Sequence, residues 1–69
     1  MMKEKLVEFF TLRIAFMKYM ESPRARHIYL DQCFGALSFA LSIDGENEAV
    51  YTALWDEWKP ILEAKVWGC

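Results

Sequence analysis

Polar positions in the first twenty residues recur at intervals of three and four. Glu4, Glu8, Thr11, Ala15 and Lys18 fall on one narrow stripe of a helix. Apart from Arg13, the other positions from Leu6 to Met20 are apolar: Leu6, Val7, Phe9, Phe10, Leu12, Ile14, Phe16, Met17, Tyr19 and Met20. The apolar arc spans about 240°, whereas an ordinary surface helix needs little more than ~100°. The spacing predicts a helix over residues 3–20 and leaves no room for a strand, whose polar positions would alternate.

Ser22-Pro23 supplies a stop and a start together. Proline cannot continue the first helix, while Ser at the N-cap with Pro in the first turn opens a second. That helix is expected over 23–43, with Arg24, His27, Asp31, Gly35, Ser38 and Ser42 on its polar side. Cys33, Ala36 and Ala40 share a smooth face against which another helix can pack. Gly35 weakens the helix by about 1 kcal/mol relative to Ala, which points to close packing or mild strain there. Asp44-Gly45 ends the segment, with Gly45 suited to a left-handed terminal position and Asp44 or Asn47 suited to cap the next helix. A third helix is expected over 46–67, with a kink or break at Pro60 and a stop at Gly68. Its apolar side is Val50, Tyr51, Leu54, Trp55, Trp58, Ile61, Leu62 and Val66. The pattern is that of an all-α, compact three-helix bundle forming a single domain over residues 1–69.

Composition sharpens this picture. The chain has 69 residues, 55% of them hydrophobic and 16% aromatic, far from the signature of disorder. A chain this short buries only about 60% of its unfolded surface, so its core must be rich or shared. The net charge of −2 is unevenly spread: residues 1–27 hold six Lys/Arg against three acids, and residues 28–69 two Lys against seven acids. This polarity draws the two halves together, within the fold or between copies. It argues against nucleic acid as a partner, because a helix beginning Asp44-Gly45-Glu46-Asn47-Glu48 places acids where phosphates would lie. It also argues against a membrane surface, because the polar stripe of the first helix carries Glu4 and Glu8 rather than an array of cations. The longest uncharged stretch, residues 32–43, is short of the ~20 residues of a membrane span. Two cysteines in unlike settings, Cys33 in an apolar run and Cys69 at the end, are too few for a disulfide scaffold, and a cytoplasmic setting is expected.

No enzymatic constellation emerges. His27 and Cys33 are six residues apart, so their side chains diverge on a helix, and an i,i+4 pair such as His27 and Asp31 reads as a surface ion pair. A single histidine and no CxxC motif leave a zinc site without ligands, and no cofactor is expected. Arg24, Arg26 and His27, beside the free amides of a helix start, are candidate anion-binding residues. Arg13 lies in the middle of the apolar arc of the first helix, where an isolated guanidinium must pair, reach water or meet a partner. The surplus apolar surface on helices one and two marks an interface. The expectation is a non-enzymatic small helical interaction protein that self-associates, most simply as a homodimer, through Phe9, Arg13, Phe16, Met17 and Met20. The alternative is a stoichiometric inhibitor or adaptor that docks its apolar face or acidic third helix onto a larger protein.

Overall fold

A computed structural model describes residues 2–67. Helix α1 covers Lys3–Met17, α2 covers Pro23–Ile43 and α3 covers Glu48–Trp67, with a 3-10 turn at Gly45–Asn47 leading into α3. Each helix packs on both others in a bundle 38 Å long and 16 Å across. The connections are too short to carry the chain back along the bundle, so consecutive helices run antiparallel. Leu6, Phe10 and Met17 of α1, Cys33, Leu37 and Ala40 of α2, and Tyr51, Leu54, Leu62 and Val66 of α3 form the core. The rings of Trp55 and Trp58 pack on Phe10 with centroids 5.9 and 5.7 Å away. Among the described residues no helix is long and apolar enough to cross a membrane.

Ser22 takes extended backbone angles, as a residue before proline must, and its Oγ accepts from the Ala25 N–H, so the predicted start of α2 is the observed one. The end of α1 comes three residues earlier than the hydrophobic pattern implies. The Tyr19 and Met20 amides turn back to the carbonyls of Phe16 and Met17, closing the helix in tight i→i−3 turns. The Met20 carbonyl then receives a bond of 2.8 Å from Arg26 Nη1, and the Val66 carbonyl of α3 receives one of 2.8 Å from Arg26 Nε. Arg26 is 8% exposed. It therefore clamps the end of α1 and the end of α3 to the beginning of α2, a contact across forty residues that no local pattern encodes.

Between α2 and α3 the expectations for Gly45 and Asp44 are corrected. No described glycine has a positive φ, because the chain leaves α2 through Asp44 at φ −137° and goes straight into the 3-10 turn. Asp44 makes no side-chain bond to the backbone amides of that turn. Its carboxylate instead accepts from Asn47 Nδ2 at 2.9 Å and from the hydroxyl of fully buried Tyr51 at 2.5 Å. The Tyr51 hydroxyl in turn accepts from the Met2 amide at 3.1 Å, which fixes the start of α1. The break at Pro60 is also absent: α3 is continuous from Glu48 to Trp67, with Pro60 inside it and exposed. Proline there removes the hydrogen bond to the Asp56 carbonyl and crowds that carbonyl, at an exposed position where water can take the place of the lost donor. The expected stop at Gly68 and the expected setting of Cys69 lie outside the described residues.

Candidate functional site

The contact between α1 and α2 contains the feature that most needs an explanation. The Arg13 guanidinium lies 4.5 Å from the centre of the Phe9 ring, one turn earlier on α1, and 5.4 Å from the centre of the Tyr29 ring on α2. Its Nε is buried and has no hydrogen-bond partner, and no carboxylate among the described residues lies within ion-pair distance of it. Stacking on two rings is favourable by about 0.5–2 kcal/mol, but a buried donor without an acceptor costs about 1–3 kcal/mol. Cys33 lies one turn beyond Tyr29. Burial pushes its thiol up to about 11, against the downward pull of the Arg13 charge. Such a thiol stays neutral and unreactive near neutral pH.

Around this cation the two helices expose large apolar side chains. On α1, Phe9, Leu12 and Phe16 continue from Arg13 away from the core, and Leu12 is 50% and Phe16 45% exposed. On α2, Ile28, Phe39 and Ile43 share the flank of Tyr29 by helical spacing and are 57%, 60% and 58% exposed. Because Arg13 and Tyr29 meet across the α1–α2 contact, these flanks border one another and form a largely apolar seam, interrupted on α2 by exposed Gln32, with a cation in its floor. The exposure does not come from loose folding, since the 4640 Å² of accessible surface is close to the ~4,500 Å² of a compact monomer of this mass.

The predicted interface residues separate in the structure. Phe9, Arg13 and Phe16 lie on the seam. Met17 does not: it is 1% exposed, enclosed by the chain's own helices, and offers no surface to a second molecule. Met20 lies past the end of α1, half-buried, with its carbonyl held by Arg26. Leu12 and the α2 residues Ile28, Tyr29 and Phe39 belong to the surface and were not singled out from the sequence. For Ile28 and Phe39 the signal is the spacing of residues 28, 32, 36, 39 and 43, which repeats at threes and fours along one edge of α2.

The predicted anion-binding trio does not converge. Arg26 turns inward, where Nε and Nη1 bond two backbone carbonyls, and at 8% exposure it offers little surface to an anion in solvent. Arg24 points to solvent. The His27 imidazole pairs with Asp31 at 3.5 Å and faces the Trp67 ring at 6.2 Å. Among the described residues no group of three or more His, Cys, Asp or Glu side chains is placed to hold a metal.

The outer face of α3 has the opposite character. Ala49 and Ala53 lie side by side along it, bordered by shallow open grooves of about 380 and 510 Å³. Lys3 and Glu57 line the first, and Glu48, Thr52 and Asp56 the second. Comparison with known proteins finds no matching family model, no matching curated protein and no matching solved structure.

Proposed function

We propose that this protein is a non-enzymatic helical interaction module that self-associates through the α1–α2 seam. The observation that supports the reading is the seam itself. Leu12, Phe16, Ile28 and Phe39 are each at least 45% exposed along one face, although burying the remainder of each would be favourable by about 1 kcal/mol. A contiguous apolar surface of this kind on so small a domain marks an association site. A pair of copies is the least elaborate assembly that covers it.

Light scattering on a size-exclusion column, from low micromolar to millimolar under reducing conditions, tests the proposal. Wild-type protein is expected to elute with a mass above the 8.1 kDa of one chain, and Leu12→Glu/Phe16→Glu as a folded monomer. Both side chains are half-exposed, so the substitutions leave the core intact. A double variant that assembles like wild type overturns the choice of face. A wild-type chain that stays monomeric but captures one stoichiometric protein identifies an inhibitor or adaptor instead.

A further inference from the structure

We infer that two copies pair with their α1 helices side by side and parallel, so that Glu8 of each copy reaches Arg13 of the other. The pairing rests on the proposed self-association and adds its orientation and the partner of the buried cation.

The spacing along the outer side of α1 sets the geometry. Phe9, Leu12, Phe16 and Tyr19 recur at three and four residues, the a and d positions of a heptad. Leu12, Phe16 and Tyr19 are 50%, 45% and 71% exposed, and half-buried Phe9 carries Arg13 on its ring. In the same frame, exposed Glu8 takes the g position on one edge of this line and Arg13 the e position on the other. Lys5 interrupts the line one heptad before Leu12, so the contact runs from Glu8 toward the tight turns that close the helix. A run this short would not hold two free helices together, but α1 is already fixed against α2 and α3 in each copy.

Charge selects the orientation. When a two-fold axis runs along the helices, the g edge of one α1 faces the e edge of the other, and each g residue meets the e residue of the next heptad. Glu8 and Arg13 stand at that interval, so the axis forms the pair twice. Antiparallel helices bring like edges together, g against g and e against e, which sets Arg13 along the edge that holds the other Arg13 and delivers no acid to it. Within one chain neither charge is paired: among the described residues Glu8 and Arg13 have no ion-pair partner, and the buried Arg13 Nε has no acceptor. Stacking on Phe9 and Tyr29 already holds the guanidinium in place, so it loses little freedom when a carboxylate arrives.

A charge reversal and cysteine cross-linking test the pairing. Glu8→Arg sets a cation against each Arg13 and is expected to weaken self-association about tenfold or more, whereas Glu57→Arg, an equally exposed reversal on α3, leaves it unchanged. Leu12→Cys and Phe16→Cys are each made in a Cys69→Ser background and oxidised with copper phenanthroline, and the disulfides are mapped by peptide mass spectrometry. Parallel α1 helices predict that each variant cross-links to its own counterpart. Antiparallel helices cannot bring both positions to their counterparts in one register. All four positions substituted on α1 and α3 are exposed, and circular dichroism confirms that the variants are folded. If Glu8→Arg associates as tightly as wild type, if Glu57→Arg weakens association equally, or if cross-links form only between the two cysteine variants in a mixture, the inference is overturned and the proposed self-association stands. A wild-type chain that is monomeric throughout overturns both.

Discussion

Arg13 and Arg26 show how differently one side chain can be used within thirteen residues. Arg26 is nearly buried and satisfied by two carbonyls at the ends of two other helices. Hydrogen bonds from a charged donor are each worth about 1.5–3 kcal/mol, and removing the donor leaves both carbonyls to find water. Arg26→Met is expected to destabilise the fold by about 3 kcal/mol and lower Tm by more than about 10 °C in thermal denaturation. A change under 1 kcal/mol would show the clamp to be incidental. Arg13 is the opposite case, stacked on two rings with a buried donor unused. In Arg13→Met the lost ring stacking and the relieved donor nearly offset each other, so stability stays within about 1 kcal/mol of wild type while self-association weakens. A large loss of Tm would mean that Arg13 serves the fold alone. At Gly35 an added Cβ meets nothing within 4 Å, so neither close packing nor strain explains the glycine. Gly35→Ala should gain about 1 kcal/mol from helix propensity, read as a higher midpoint in urea.

At the level of elements, the turn between α2 and α3 ties the bundle together through charge. The hydroxyl of Tyr51 and the amide of Asn47 hold the Asp44 carboxyl below its ordinary value of 3.8. A depressed carboxyl contributes stability that is present above 3.8 and lost as pH falls through its folded-state value. The bond to Asp44, followed by burial, pushes the Tyr51 hydroxyl above its ordinary value of 10.0; its contribution is complete below pH 10 and lost as pH rises beyond it. Asp44→Ala should therefore melt below wild type at pH 7, with the gap closing as both are acidified below pH 4. A gap independent of pH across that range would contradict the network. These elements also show what sequence reveals. Ser22-Pro23 announced the start of α2, and the polar stripe Glu4, Glu8, Thr11, Ala15 and Lys18 is exposed as its period required. The end of α1 was not legible, because the clamp that fixes it comes from Arg26 and is shared with Val66, forty residues further on. The arrangement at Asp44 was missed because a carboxylate beside a helix start suggests a backbone cap, whereas Tyr51 reaches it only once three helices are packed.

For the whole molecule, the surplus of apolar surface was legible and its location only partly so. An arc of about 240° has no single centre, so periodicity cannot decide whether Leu12 or Met17 faces the core. The neighbouring helices decide it, enclosing Met17 and leaving Leu12 half-exposed. The same tertiary choice moved Arg26 from a candidate anion site into the fold and gave Arg13 a ring on α2 that the α1 sequence does not contain. The exposed seam on α1 and α2 makes association between copies the expected behaviour of the whole molecule. The most direct test is the mass of the wild-type protein by light scattering on a size-exclusion column from low micromolar to millimolar concentration. Self-association predicts a mass above 8.1 kDa that rises with concentration, and a single 8.1 kDa species across the whole range would rule it out.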